Sequence, residues 1–156
     1  MKYTLLRAFI ALLLSALASC ASYAPGRQSY WDSRVSELCE KDGGTTIYER
    51  IKLHPNEYRS LGGTGKGLAL PSAAARPDFP YFIQLSQTKI HDTNPEVLRL
   101  ETFIKRRSDD KILGRSVHYV RRGGDFPTGV LHDSSFSCPQ QDDLSERVFE
   151  VVANTK

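Results

Sequence analysis

Residues 97–107 (VLRLETFIKRR) and 112–121 (ILGRSVHYVR) decide the fold of this chain. From Leu98 to Ile104 every second side chain is apolar or β-branched and the positions between are mostly charged, which is the period of a half-buried strand. Residues 108–111 (SDDK) are polar and suit a turn, and the second segment is again rich in strand-forming residues. The sequence therefore predicts an antiparallel hairpin over residues 97–121.

A helix is the alternative for the start of this region. Asn94 and Pro95 have the residue types of a helix N-terminus. In that case Val97, Leu100 and Ile104 would lie on one helix face. The period of two extends over the whole segment, and it favours the hairpin.

Helices are predicted on both sides of the hairpin. The first begins at Ser29, a good N-terminal cap, and ends at the pair Gly43-Gly44. Its apolar positions at i, i+4, i+7 and i+8 are Trp31, Val35, Leu38 and Cys39. The second begins at Asp143-Leu144-Ser145-Glu146, which has the spacing of a capping box. Its apolar positions are Leu144, Val148, Val151 and Val152.

The remaining segments predict two strands and a loop. Residues 45–51 (TTIYERI) and 81–85 (YFIQL) are rich in β-branched and aromatic residues. Pro55 suits the first position of a short helical turn. Residues 60–78 contain four Gly and two Pro and predict a flexible loop. Together these elements predict one α+β domain over residues 29–156, with a small antiparallel sheet.

Composition excludes several classes of protein. The chain has 156 residues, which suits one ordinary domain. Its formal net charge of +3 is too small for a dedicated nucleic-acid binder, whose affinity comes from neutralising many phosphates. A hydrophobic content of 40% argues against intrinsic disorder. No internal repeat is evident.

The N-terminus is typical of an export signal. Residues 1–19 (MKYTLLRAFIALLLSALAS) contain no acidic group, and Lys2 and Arg7 precede the apolar run of residues 8–14. That run is too short to cross about 30 Å of hydrocarbon, which needs about 20 residues. A cleaved secretory signal is therefore predicted, followed by a flexible spacer over residues 20–28.

Leu17-Ala18-Ser19-Cys20 resembles the lipobox of bacterial lipoproteins, in which a cysteine follows two small residues and a branched apolar one. The resemblance covers about 20 residues. It implies that the thiol of Cys20 receives a diacylglycerol, that residues 1–19 are removed and that acyl chains such as palmitate hold the protein on a membrane. Because Ala21 rather than Asp follows the cysteine, the family's sorting habit implies the outer membrane, facing the periplasm, rather than the inner membrane. The alternative is ordinary secretory cleavage near Ala18 or Ala21, which would leave Cys20 free.

The cysteine count fits a lipid anchor. Three cysteines in an exported protein leave one odd thiol. If lipid occupies Cys20, Cys39 and Cys138 remain as a disulfide pair in an oxidising compartment. Such a bridge would close a loop of about 100 residues, worth about 4.7 kcal/mol in the chain-entropy model. A metal site is the alternative, but no C-x-x-C or C-x-x-H spacing supports it.

Basic residues gather at both ends of the predicted hairpin. They are Lys105, Arg106, Arg107, Lys111, Arg115, Arg121 and Arg122, and are called the basic cluster below. Near a membrane or cell wall this cluster could bind anionic lipid headgroups, carboxylates of the wall polymer or an acidic envelope protein. The alternative is a solvated strand edge whose charges prevent unwanted pairing.

Catalytic patterns are weak. The glycines of residues 62–67 lack the Gly-Lys-Ser/Thr order of a phosphate-binding loop, and no G-x-S-x-G occurs. The four histidines are His54, His91, His118 and His132, and none forms a metal-binding pair at short spacing. No cofactor or metal is expected.

The sequence therefore predicts a lipid-anchored envelope protein with a non-catalytic binding or scaffolding role, in which the hairpin and residues 60–78 are the contact surfaces. Two alternatives remain open. One is a small hydrolase using His118, His132 and an Asp, and the other is an inhibitor or exclusion factor that acts on an incoming protein.

Overall fold

The structure is mixed α and β, with an antiparallel sheet at its centre. It is a computed structural model, and it describes residues 27–64, 67–124, 134–139 and 143–152. In chain order the elements of these residues are α1 (Arg27–Asp42), β1 (Gly44–Ile47), β2 (Ile51–Leu53), α2 (Pro55–Ser60), β3 (Gly63–Thr64), β4 (Gly67–Leu68), β5 (Tyr81–His91), β6 (Glu96–Arg106), β7 (Ile112–Arg122), β8 (Ser135–Cys138), α3 (Leu144–Val148) and β9 (Phe149–Val151).

The hairpin predicted over residues 97–121 is confirmed. Strands β6 and β7 pair antiparallel from Glu96↔Arg122 to Lys105↔Ile112. Since β6 begins directly after Pro95, the helix considered as the alternative for this segment is wrong. The alternation of Leu98 to Ile104 is a true strand period, because Leu98 and Ile104 are both buried on one face of the sheet.

The central sheet places β5 on one side of this hairpin and two short strands on the other. β5 pairs antiparallel with β6, and it extends to eleven residues rather than the five predicted at 81–85. β1 pairs with residues 114–117 of β7, and β8 pairs with residues 119–122. β5 is therefore an edge strand of the described sheet, with β6 as its only strand neighbour there.

Helix α1 packs on one face of the sheet, called the α1 face below. Its Val35 is fully buried against Val97, Val117 and Tyr119. Burying an aliphatic side chain of this size stabilises the fold by roughly 1.5–3 kcal/mol. Cys39 in α1 is bonded to Cys138 at the end of β8, so the predicted disulfide is confirmed and fastens α1 to the sheet.

On the opposite face, the described helices and short strands pack at the end of the sheet near Ile104. There α3, β4 and the pair β2–β9 bury a second apolar cluster against the sheet. Its buried members are Leu53, Leu68, Ile104, Leu113, Leu144, Val148 and Phe149. The remainder of this surface carries no helix among the described residues, although Leu98 on it is buried, and it is called the open face below.

The strand predicted at residues 45–51 is wrong as a single element. β1 ends at Ile47, and the backbone N–H groups of Tyr48 and Glu49 both donate to the carbonyl oxygen of Leu113. The β6–β7 register shifts at that same position, so the chain leaves β7 there. After the break, β2 pairs parallel with β9 outside the central sheet.

The terminal helix is also shorter than predicted. Asp143 caps α3 through its side chain, but the helix ends at Val148 and Phe149–Val151 forms β9. Pairing with β2 supplies these residues with backbone partners, and it buries Phe149. Val151 and Val152, which the helical spacing placed on the apolar face, are exposed.

The start of α1 and the 60–78 region differ in detail. α1 begins at Arg27, two residues before the predicted cap Ser29, and so includes the end of the expected spacer. α2 has Pro55 at its first turn, as predicted. Gly63 and Gly67 of the 60–78 region belong to the short pair β3–β4, and Ser72 makes a bridge with Ile83 of β5.

Candidate functional site

One row of side chains crosses the floor of the open face. The register aligns Leu85 of β5, Thr102 of β6, Ser116 of β7 and Thr45 of β1 on a single rung. The next rung carries Gln87, Leu100 and His118. Because alternate residues of a strand share a face, these side chains all belong to the open face.

Two cavities lie over these rungs, and together they form a trough. The first has a volume of ≈ 460 Å³ and reaches from Ile83 to Asp143 and Ser145 beside α3. The second has a volume of ≈ 330 Å³ and reaches across Leu100 and Val120 to Ser137 and Pro139. Both cavities are lined by Leu85, Thr102 and His118, which therefore form the middle of the trough.

Helix α3 closes one end of the trough because β7 carries a glycine beneath it. A Cβ atom at Gly114 would lie 2.7 Å from Cγ2 of Val148 and 3.1 Å from Cδ1 of Leu144. The helix is positioned from its other end by Asp143, whose Oδ1 accepts hydrogen bonds from the backbone N–H and the hydroxyl of Ser145. The close approach of α3 to Gly114 and its cap at Asp143 together set the position of this helix at the end of the trough.

A chain of hydrogen bonds runs along the floor. His118 Nδ1 lies 3.3 Å from the carbonyl oxygen of Pro139, which can only accept, so Nδ1 carries the proton. In the tautomer that carries its proton on Nδ1 alone, Nε2 of His118 accepts a hydrogen bond from the Ser116 hydroxyl 2.8 Å away. The Thr45 hydroxyl, 3.2 Å from that of Ser116, completes the chain. A hydroxyl that donates to an imidazole is the arrangement from which serine nucleophiles are activated.

The charge of the trough is low. No Lys or Arg lines either cavity in the described part of the chain. Asp143 is engaged as the cap of α3. The carboxylate of Glu101 accepts hydrogen bonds from Arg115 on the α1 face. The trough therefore combines apolar side chains with hydroxyl and imidazole groups.

The basic cluster does not form one free cationic surface. Its members at the β6–β7 turn form ion pairs. Lys105 pairs with Asp110, and both Arg106 and Lys111 pair with Glu49. Arg107 donates to the carbonyl oxygens of Phe79, Ala73 and Arg76 and covers the ring of Phe82. These pairings join the turn to the segments that precede β2 and β5.

The other members are more deeply engaged. Arg115 belongs to an ion-pair network on the α1 face. In this network Arg99 and Arg115 each pair with the carboxylates of Asp42 and Glu101. Hydrogen bonds from Arg99 hold the pKa of both Asp42 and Glu101 below their usual values, against the opposing effect of burial. The same network raises the pKa of Arg99 and Arg115, chiefly through their hydrogen bonds with Glu101.

Arg121 and Arg122 are neighbours with opposite environments. Arg121 is 1% exposed, and its Nε donates to Oδ1 of Asp32 in α1 at 2.6 Å. Its guanidinium also bonds the carbonyl oxygen of Gly123 and the hydroxyl of Ser134. Arg122 is exposed, and no described residue pairs with it. Six of the seven cluster members thus have partners within the fold.

The remaining residues named from the sequence are dispersed. Cys20 and His132 lie outside the described residues. His91 stacks against Trp31, with ring centroids 4.3 Å apart, and contacts the carbonyl oxygen of Pro95. His54 precedes α2 and is exposed. In the described ranges no group of three His, Cys, Asp or Glu side chains is placed to hold a metal ion.

The glycine-rich region contributes to a separate depression. A cavity of ≈ 570 Å³ is lined by Tyr58, Gly63, Gly67 and Glu146 among others. It lies between α2 and α3, and its lining residues Gly67 and Glu146 are sequence neighbours of Leu68 and Ser145 in the trough. The 60–78 region therefore shares one surface with the C-terminal elements, and Leu68 and Leu70 of that region also reach the trough.

Sequence reasoning identified His118 but missed Ser116 and Thr45. The pattern Ser116-x-His118 in a strand places both side chains on one face, which was a usable signal. The hydrogen bond between Thr45 and Ser116 could not be predicted from the sequence, since it depends on the β1–β7 register.

Within the described residues, no helix has the length and apolar character that a membrane crossing requires. Comparison with known proteins found no family model that matches the chain, no similar curated protein and no similar solved structure.

Proposed function

We propose that this chain is a lipid-anchored protein of the bacterial cell envelope, held by acyl chains on Cys20, whose domain has a non-catalytic binding or scaffolding role. The outer membrane, facing the periplasm, is the proposed location. The lipobox resemblance of Leu17-Ala18-Ser19-Cys20 is the motif behind the anchor.

The pairing of the cysteines carries this proposal. The chain has three cysteines, and the disulfide joins Cys39 to Cys138. Cys20 is the one that this bond leaves over, and it stands where a lipoprotein signal places its acceptor thiol. A disulfide also suits an oxidising compartment outside the cytosol. Two or three acyl chains at about 0.8 kcal/mol per buried methylene would hold the domain firmly on a membrane.

Metabolic labelling with palmitate tests the anchor. The wild-type chain should incorporate label and fractionate with outer membranes, and Cys20→Ser should do neither. The double variant Cys39→Ala/Cys138→Ala is the matched control, because it removes two thiols and keeps Cys20. Label that persists in Cys20→Ser would overturn the proposal.

The trough is the surface that we assign to the binding role, and an uncharged apolar group of a partner molecule is the occupant. Leucine and isoleucine side chains form much of its lining, no Lys or Arg of the described residues lines it, and its polar groups Ser116 and His118 are hydrogen-bonded to each other. An anionic lipid or wall polymer fits the structure less well, since the basic cluster is largely paired.

Two measurements separate these partners. The neutral dye Nile red should bind the wild-type chain and lose affinity in Leu100→Glu, which places a charge in the trough. Tyr48→Glu is the control, since Tyr48 is exposed elsewhere. Binding to anionic vesicles or wall polymer that weakens steeply with salt would favour the basic cluster instead.

A hydrolase is the second candidate, and one observation favours it. The Ser116 hydroxyl lies 2.8 Å from His118 Nε2, the distance at which a nucleophile donates to its general base when that nitrogen is unprotonated. A backbone carbonyl of Pro139, rather than an Asp, orients the imidazole. Ser116 itself is 2% exposed, so a substrate would reach it only through the trough.

A fluorophosphonate probe, which labels activated serines, tests this candidate. Labelling that is lost in Ser116→Ala and His118→Ala, but kept in Ser137→Ala, would support hydrolysis at this site. An unlabelled wild-type chain would eliminate it.

A further inference from the structure

The outer edge of β5, on the side away from β6, has no strand neighbour in the described sheet. The backbone N–H of Ile83 points away from β6, because it donates to the carbonyl oxygen of Pro71 at 2.9 Å. In an antiparallel pair such outward groups recur at every second residue. Leu85, Gln87 and Lys89 therefore direct their N–H and C=O groups outward as well. No described residue forms a backbone hydrogen bond with those groups.

The side chains of this edge do not protect it. Residues 81–88 (YFIQLSQT) include no charged residue and no proline, the two usual guards of an exposed strand edge. Leu85 is 71% exposed and Ile90 is 44% exposed. Lys89 is the first charged residue after this stretch of the strand, and its ammonium lies 3.4 Å from the carboxylate of Glu96 in the neighbouring strand. An edge of this kind is a template for another strand.

We infer that the partner is a second copy of this chain, paired antiparallel through β5 about a two-fold axis at Gln87. In this register Gln87 faces Gln87 of the second copy, and Leu85 faces Lys89. All three positions direct backbone groups outward, so the register forms three hydrogen-bonded pairs and about six backbone hydrogen bonds. The two central sheets become one continuous sheet.

Self-complementarity is the reason to choose a second copy over an unrelated peptide. At the axis, two glutamine amides can donate to and accept from each other. On the other face of the strand, Ser86 lies opposite Thr88 of the second copy, and both pairs of hydroxyls can bond. The aliphatic stem of Lys89 covers the exposed Leu85, while the two ammonium groups stay four residues apart along the interface.

The length of the pairing is bounded by the fold. Pro71 and Ser72 occupy the outer edge at Ile83. At the other end the β5–β6 register shifts between Lys89 and His91. The contact is therefore short, and a dimer of moderate affinity is expected. The lipid anchor proposed above would confine both copies to one membrane surface and raise their effective concentration, although the pairing does not depend on the anchor.

A charge exchange at the axis tests the inference. Two full-length copies with different affinity tags are co-expressed, and one tag is used to recover the other. The wild-type pair should co-purify. Two copies of Gln87→Lys, or two copies of Gln87→Glu, place like charges directly opposite and should lose at least tenfold in recovery. One Gln87→Lys copy with one Gln87→Glu copy should recover, because the charges are then complementary.

Control variants show whether a loss of co-purification is specific to the β5 edge. Ser108→Lys adds the same charge in the β6–β7 turn, away from this edge, and should not alter recovery. Restored pairing of the mixed variants also shows that each of them folds. Recovery that is absent for wild type, or is equal for all combinations, would overturn the inference. Cys20→Ser copies that pair normally would separate failure of the anchor from failure of this interface.

Discussion

The guanidinium of Arg121 is buried between the sheet and α1, and its Nε lies 2.6 Å from Oδ1 of Asp32. The bond joins β7 to the first turns of α1, 89 residues apart in sequence. Arg121 was expected in a cationic surface for anionic partners, but its charge instead helps to hold α1 on the sheet. A buried charge of this kind is tolerated because the carboxylate and the oxygens of Gly123 and Ser134 satisfy its donors.

Removing the carboxylate should therefore destabilise the domain. Asp32→Ala leaves the Arg121 charge buried without its counter-ion, which typically costs about 3 kcal/mol or more in the free energy of unfolding. Arg122→Ala, one residue away and exposed, should change it by less than about 0.5 kcal/mol. Urea unfolding followed by circular dichroism measures both. Equal small effects would show that the Asp32–Arg121 pair contributes little.

The disulfide should make a large contribution to stability. Cys39 and Cys138 close a loop across 99 positions of sequence, and a loop of that length corresponds to about 4.7 kcal/mol in the chain-entropy model. Cys39→Ala/Cys138→Ala should lower the free energy of unfolding by about 2–5 kcal/mol. Reductant should lower the stability of the wild-type chain similarly and should have no effect on the double variant, which is the control. A wild-type chain that migrates identically with and without reductant would contradict the bond.

The sequence predicted the parts of the fold that depend on local period and on cysteine count. The alternation of Leu98 to Ile104 identified β6 because its two faces have different neighbours. The Cys39–Cys138 disulfide was predicted from the number of cysteines, once Cys20 was assigned to lipid, and from the oxidising compartment expected for an exported protein. The break after Ile47 and the strand Phe149–Val151 were not predictable, since both depend on partners far along the chain: Leu113 for the first, and Ile51 to Leu53 for the second.

The candidate site was less accessible from sequence. A run of Lys and Arg does not reveal whether carboxylates lie beside it, and here Glu49 and Asp32 come from distant segments. His118 could be named, but its contact with Ser116 became meaningful only when the register placed both side chains beneath the trough. Burial and pairing decide what a charged or nucleophilic side chain can do, and both are tertiary properties.

Acid should loosen the attachment of α1. Because the pKa values of Asp42 and Glu101 are held below their usual range, folding favours their ionised forms. Their stabilising contribution is complete above the usual values near ~4 and is lost as pH falls through the lowered folded-state values. The free energy of unfolding of the wild-type chain should therefore decrease on acidification below pH ~4.

Arg99→Met isolates this effect. The variant removes the main partner of both carboxylates, so its stability should be lower at neutral pH and should depend less on pH in the acid range. Arg34→Met is the matched control, since among the described residues Arg34 forms its ion pair with the exposed Glu37 on the surface of α1. Urea unfolding over a pH series measures the free energy of unfolding of wild type and both variants. Parallel curves for wild type and Arg99→Met would refute the role of the network.

Gly114 should be intolerant of even one added methyl group. A Cβ atom there would lie 2.7 Å from Cγ2 of Val148, and α3 cannot move away freely because Asp143 caps it and β9 follows it directly. Gly114→Ala should therefore cost about 1–3 kcal/mol in the free energy of unfolding, as overpacking does. Val148→Ala alone should also destabilise, because it leaves a cavity. The double variant should lose less than the sum of the two changes, since each compensates the other's volume. Thermal and urea unfolding of the four chains completes this cycle, and strict additivity would mean that Gly114 and Val148 do not set the position of α3 on the sheet.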